Sequence, residues 1–246
     1  MSGDPAEAMA RLDARIAGCR RCPRLVAWRE QVAREKRAAY ADEDYWARPV
    51  PGFGPADARI LVVGLAPAAH GANRTGRMFT GDRSGDWLFA SLHRVGLANQ
   101  PESVARDDGM VLHDLRMAAP VRCAPPANKP TPQERSTCAP WLDRELAILA
   151  PSLRVVVALG AIGWQASLDA LDRAGWTVPR PRPRFGHGVE AGLARSAPSG
   201  RATRGQDVTL LGSFHPSPHN TFTGRLTEQM TDEVFRRAGQ MAREGP

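Results

Sequence analysis

Two short apolar runs that each end in glycine, Arg59–Gly64 (RILVVG) and Arg154–Gly160 (RVVVALG), set the tightest limit on the fold. Neither alternates between apolar and polar residues, so each predicts a strand buried on both faces, as in parallel sheets. Further strands are predicted around Asp114–Val121 and over Asp207–Gly212. Helical patterns fall between them. Ser84 can cap a helix to about Leu97 with Leu88, Leu92 and Val95 facing inward. Thr131-Pro132-Gln133-Glu134 reads as a capping box with proline at the first helical position, opening a helix to about Leu149. Ala161–Arg173 forms another, and a last one begins near Leu226. Strands alternating with helices predict an α/β fold with a doubly wound, mostly parallel central sheet flanked by helices. Ligands of such sheets sit at the carboxyl ends of the strands, where the unusual loops after Gly64 and Gly212 fall.

Ahead of this pattern, residues 5–18 place Ala8, Leu12 and Ile16 at helical spacing, and a second helix is predicted from about Leu25 to Arg37. Tyr40–Pro55 is aromatic and rich in Pro and Gly, a loop or lid. Val178–Gln206, with its Arg, Pro, Gly and Ser, reads as a flexible surface loop. A chain of 246 residues, 42% hydrophobic, fits one large α/β domain or two small ones. No apolar run is long enough to span a membrane, and the first residues lack the apolar stretch of a signal peptide, so a cytoplasmic protein without a membrane partner is expected. The net charge of +7 favours nucleic acid as a partner, although an Arg-rich composition also follows from a GC-rich genome.

The cysteines are Cys19, Cys22, Cys123 and Cys138. A disulfide is disfavoured by the compartment. A thioredoxin-type motif is disfavoured because Cys19-Arg-Arg-Cys22 lies in a helical arm and not beside a βαβ unit. One tight pair with two distant partners suits a zinc ion or a [4Fe–4S] cluster, with buried apolar cysteines as the plain alternative. Arg20, Arg21 and Arg122 can offset the negative charge of four thiolates. Either group would staple the N-terminal arm, residues 1–55, to the middle of the domain.

Two loops carry candidate chemistry. In Gly64–Asp82 (GLAPAAHGANRTGRMFTGD), the glycines permit tight turns and close approach, Arg74 and Arg77 can meet phosphates, and Phe79 offers a flat face to a base. Asp82 is an acid just beyond. The spacing matches neither a P-loop nor a dinucleotide fingerprint. In Ser213–Arg225 (SFHPSPHNTFTGR), Pro216 and Pro218 stiffen the chain, His215 is held by the proline that follows, and Ser213, Ser217 and Thr221 supply hydroxyls.

Together with Val121–Pro132 (VRCAPPANKPTP), these loops resemble the motifs of the uracil-DNA glycosylase superfamily, nearest to the iron–sulfur-containing family 5, or type B, enzymes. The resemblance runs from Cys19 to the final helix. It implies a single domain over 1–246 with the three-layer sandwich of that superfamily, a [4Fe–4S] cluster on Cys19, Cys22, Cys123 and Cys138, and a monomer acting on double-stranded DNA. The damaged nucleotide would be flipped out of the stack. Phe79 would stack on the flipped base, in a pocket shared with Ala66 and Asn128. His215 would hydrogen-bond its O2, the Pro218-His219-Asn220 tip would fill the hole left in the duplex, and Ser217 would contact the DNA. Arg74, Arg77 and Arg225 would hold the DNA.

Other branches of the superfamily place an acid within two residues of the first glycine, in patterns such as GQDPYH and GEAPG; here Leu65 and Ala66 stand there. Asp82 is the acid expected in that role, orienting water or stabilising charge. In a sister family an asparagine, in a strand like TNVVKC, reads the uracil edge; Ala119 occupies its place here, and Asn128 is the remaining amide. The resemblance with these departures implies a monofunctional hydrolase that accepts uracil and other deaminated bases such as hypoxanthine. A non-catalytic iron–sulfur or zinc nucleic-acid-binding protein is the alternative.

Overall fold

The computed structural model describes residues 4–195 and 207–244. Its centre is a five-stranded sheet in the order β2-β1-β3-β5-β4. β1 (Ile60–Val63) lies parallel to β2 (Leu115–Ala118) on one side and to β3 (Val155–Leu159) on the other, with Ile60 opposite Leu115 and Val155. β3 in turn lies parallel to β5 (Val208–Ser213), with Val155 opposite Thr209. Every residue of β1, β2 and β3 is buried, as the unbroken apolar runs of β1 and β3 require; β2 also buries Arg116.

The eight helices are α1 (Pro5–Ala17), α2 (Pro23–Glu35), α3 (Ala72–Thr75), α4 (Arg83–Arg94), α5 (Pro132–Leu149), α6 (Gly160–Arg173), α7 (Pro218–Phe222) and α8 (Glu228–Glu244) among the described residues. Alternate strand residues divide the core. Leu61, Val63, Val156 and Ala158 face α1, α5 and α6. Ile60, Val62, Val155 and Val157 face α4 and α8. The result is the expected three-layer α/β arrangement. None of the helices is long and apolar enough to cross a membrane.

Local chemistry accounts for most element ends. Thr131 and Glu134 form the capping box reciprocally, at 3.2 and 2.8 Å. In α1 the buried residues are Met9, Leu12 and Ile16; Ala8 is only half-buried and Met9 takes the inner position. The cap of α4 is Asp82 and not Ser84, because the Asp82 carboxylate accepts from the Ser84 and Gly85 amides.

The sequence reading also missed β4 (Glu190–Leu193), an antiparallel edge strand on β5. It is four residues long with a glycine inside, too short for its alternation of exposed and buried positions to stand out from the surrounding polar sequence. Residues 196–206 of that predicted loop lie outside the described residues. The N-terminal arm is held by ordinary bonds as well: Val50 N–H donates to the Arg122 carbonyl at 2.7 Å, and Arg116 donates to the Gly54 carbonyl at 2.6 Å.

Candidate active site and cysteine site

The loops after β1 and β5 and the segment after β2 enclose a cleft of about 280 Å³ at the carboxyl end of the sheet. Its floor is apolar, with Leu65, Ala66, Pro67 and Ala119. Phe79 forms one wall in a left-handed backbone conformation, φ 55°, which costs a residue with a Cβ about 1–2 kcal/mol. Two glycines make that geometry possible. A Cβ on Gly64 would stand 2.6 Å from the Phe79 ring, and one on Gly85 would stand 1.7 Å from the Phe79 carbonyl oxygen. The motif's first glycine thus makes room for the ring.

His215 faces Phe79, with ring centroids 6.4 Å apart and planes inclined by 38°. Its backbone carbonyl accepts from the Ser217 amide and from Asn220 Nδ2, both at 2.8 Å. Burial pushes the His215 imidazole down to about 4. The ring is therefore neutral at physiological pH and carries one N–H to donate, a suitable partner for an oxygen that becomes negative. Asp82 lies beside them. One carboxylate oxygen is tied to the Ser84 and Gly85 amides at 2.9 and 3.0 Å, and the other lies against Gly71, where a Cβ would come within 2.1 Å. Burial raises the Asp82 pKa, and the two amides oppose it. Asn128, exposed and left-handed at φ 56°, closes the far rim. The structure thus brings together Ala66, Phe79, Asp82, Asn128, His215, Ser217 and Pro218 in one cleft.

Three expectations for DNA contact are corrected. Arg74 is buried, ion-paired with Glu43, bonded to the His70 and Gly81 carbonyls at 2.9 and 3.1 Å, and stacked on Tyr40 at 3.9 Å. Arg77 is buried too, donating to Thr80 Oγ1 at 2.9 Å, Ser103 Oγ at 2.7 Å and Asp108 at 2.6 Å. Burial of Asp108 works against its charge, but Arg77 and three backbone amides outweigh it and hold the carboxyl at about 2. Both arginines brace the loop from inside, with their guanidiniums engaged by protein partners. Asn220 turns inward to the His215 carbonyl, while His219 stays exposed. The tip is the first turn of α7, because Pro218 fits the first helical position.

A cationic group that the sequence reading did not single out is the exposed Arg83, next to Asp82 in the chain, whose guanidinium lies 5.0 Å from the exposed ring of Phe222. One spans α4 and the other α7, 139 residues apart, and no local pattern signals the pair. Arg225 is exposed and stacks on Phe214 at 4.7 Å.

All four cysteines line a second, smaller cavity under Pro49 and Trp141. Among the described residues no group of three or more His, Cys, Asp or Glu side chains is placed to hold a metal ion. Burial pushes the Cys123 and Cys138 thiols up to about 11 and 12. Around them, Arg29 Nη1 donates to Cys123 Sγ at 3.0 Å and the Arg122 amide donates to Cys138 Sγ at 3.3 Å. Arg29 and Arg122 are each 1% exposed, and Arg29 Nε with Arg122 Nε and Nη1 have no hydrogen-bond partner among the described residues. Buried guanidinium charge with unused donors beside four thiols suits an anionic group at this place.

The sequence model of the Uracil DNA glycosylase superfamily matches residues 51–239. The chain belongs to that superfamily, in its type-5 branch. A type-5 uracil-DNA glycosylase of Mycobacterium tuberculosis is 54% identical over 237 residues, 96% of this chain and 83% of the relative. One from Thermus thermophilus is 50% identical across 92% of this chain and 95% of its own. A type-4 uracil-DNA glycosylase of Archaeoglobus fulgidus is 30% identical across 78% of this chain and 81% of its own. The superfamily match takes in the Phe79, Asp82 and His215 loops together with Cys123 and Cys138.

Proposed function

We propose that this chain is a monofunctional DNA glycosylase that removes uracil, and also deaminated purines such as hypoxanthine, from double-stranded DNA and leaves an abasic site. The carrying observation is the neutral His215 facing Phe79 across a cleft that can take one base, with Asp82 alongside. A flipped base stacks on Phe79, and His215 donates its N–H to O2. As the C1′–N bond breaks, the bonding pair moves onto the base, where that N–H stabilises it. Water adds to C1′ and its proton passes through solvent to the base anion, which leaves as the neutral base; Asp82, a carboxylate of the cleft, orients the water or offsets positive charge on the sugar. No lysine lines the cleft, which fits hydrolysis over a Schiff-base lyase.

The breadth of substrate follows from Ala119, buried in the cleft without an amide, and from Asn128 on an exposed rim that can adapt. A buried amide at residue 119 would be left unsatisfied by a mismatched base at about 1–3 kcal/mol, and alanine imposes no such penalty. Incubation with uracil and hypoxanthine duplexes, followed by alkaline cleavage of abasic sites, is expected to show release of both. Ala119→Asn is expected to narrow release towards uracil. Binding without release of either base would favour the non-catalytic alternative, which the apolar Leu65 and Ala66 also suit. Release of uracil alone would leave the glycosylase and remove the breadth.

The cysteine cavity is proposed to hold a [4Fe–4S] cluster on Cys19, Cys22, Cys123 and Cys138. The cluster would act as a structural staple between the arm and the segment after β2, and no reaction step passes through it. Purified protein is expected to be brown, with iron and acid-labile sulfide in equal amounts. Colourless protein with stoichiometric zinc would rule the cluster out.

A further inference from the structure

His187 lies between α6 and β4, outside every loop given a role above. Its Nδ1 accepts a hydrogen bond from the Phe214 backbone N–H at 3.2 Å, and the two rings lie 5.1 Å apart. The surrounding segment is seated on the end of β5. Gly188 N–H donates to the Gly212 carbonyl at 2.8 Å, and Gly212 N–H donates to the Val189 carbonyl at 2.9 Å. The approach is close enough that a Cβ on Gly212 would stand 2.2 Å from the Gly186 carbonyl oxygen. Phe185 completes the packing, 6.2 Å from Phe214 and 6.1 Å from Trp164.

Paired strand structure ends at Ser213, which stands opposite Leu159. Phe214 is the next residue, and His215 follows it. The His187 bond is therefore the support at the step where the chain leaves the sheet and turns towards the cleft. A hydrogen bond from Phe214 N–H to Nδ1 requires that nitrogen to be unprotonated, so the ring is neutral with its proton on Nε2. Burial favours the neutral ring, against a weaker opposing pull from Glu233 and the Met230 carbonyl on α8.

We propose that His187 is a positioning residue for base release: by accepting the Phe214 N–H it fixes the exit of the chain from β5 and so the placement of the His215 ring. The inference rests on the cleft being the glycosylase site. It gives a chemical task to a segment whose composition alone reads as surface loop. A displacement of about 1 Å in a reacting group can cost on the order of 10²-fold in rate.

Three substitutions separate the hydrogen bond from simple packing. His187→Leu keeps bulk and removes the acceptor. His187→Asn keeps an oxygen two bonds beyond Cβ, where Nδ1 stands. His187→Gln carries its oxygen one bond too far. His187→Leu and His187→Gln are expected to lower kcat for uracil release by about tenfold to 10²-fold with little change in affinity for the uracil duplex, and His187→Asn to recover most of it. Melting curves place all measurements below unfolding. Unchanged kcat in His187→Leu, or equal losses in all three variants, would overturn the proposal.

Two readouts do not need activity. In ¹⁵N-histidine spectra His187 is expected as the Nε2–H tautomer, and the Phe214 amide is expected to exchange faster in His187→Leu but not in His187→Asn. An Nδ1–H tautomer, or Phe214 exchange that ignores the substitutions, defeats the positioning role. Absence of uracil release by the unsubstituted chain, with both of these as expected, would instead defeat the glycosylase reading.

Discussion

His215→Ala is expected to slow single-turnover uracil release by about 10²–10³-fold, the usual effect of removing a donor aimed at developing negative charge. The basis is geometric: the imidazole is half-buried opposite Phe79 and is neutral because burial holds it near about 4. The same fact sets the pH dependence. A ring that protonates only near pH 4 keeps its neutral form as pH falls through the ordinary imidazole value of about 6.5, so no inflection is expected there. Activity is lost lower, where His215 gains a proton, and where Asp82, raised by burial, begins to lose its charge above the ordinary carboxylate value. Asp82 has a second duty as the cap of α4, so Asp82→Asn is the informative change: it keeps a capping oxygen and removes the charge. A smaller loss than for His215→Ala is expected. Unchanged rates in both variants would show that the active site lies elsewhere.

Glu145→Ala is expected to destabilise the fold by about 3–5 kcal/mol, read as a drop in denaturation midpoint. Glu145 is fully buried in α5 and accepts from both Arg116 and Arg122. Arg116 in β2 also pairs with Asp13 of α1 at 2.9 Å. Burial opposes the charge on Glu145, but the two guanidiniums outweigh it and hold its carboxyl low. Removing the carboxylate takes the ion-pair partner from buried Arg122, which borders the cysteine cavity, and leaves Arg116 with Asp13 alone. Against a total stability of about 5–15 kcal/mol, the loss is large. The Asp13–Arg116 pair that ties α1 to β2 is left in place by this change. A change below about 1 kcal/mol would mean that water enters and replaces the carboxylate.

The parts of the site legible in the sequence are those whose chemistry is local. Gly64 and Phe79 belong to one loop, and the glycine's role is to clear space for that ring. His215 stands between a strand end and a proline. The four cysteines, which line one cavity, stand out by residue type and one tight pair, a pattern that suits zinc as well as a cluster. Arg74 and Arg77 misled because composition shows that an arginine is present and not which way it turns. Their partners, Glu43 and Asp108, lie about 30 residues away on segments without regular pattern.

By itself the sequence determined the strands β1, β2, β3 and β5, the helices α4, α5 and α6 and their order, though not the short α3, because apolar runs and capping boxes act within a few residues. It also determined that the loops after β1 and β5 would meet at one end of the sheet, since parallel strands leave their carboxyl ends on the same side. Only the tertiary structure decided which charges are spent inside the fold. Arg74, Arg77, Arg116 and Arg122 lose their water and become bracing, while Arg83 and Arg225 keep an exposed position. It also decided that His187 reaches Phe214, 27 residues on, through an edge strand too short to announce itself. Burial and pairing across such distances depend on where the whole chain packs, and a local pattern does not contain that.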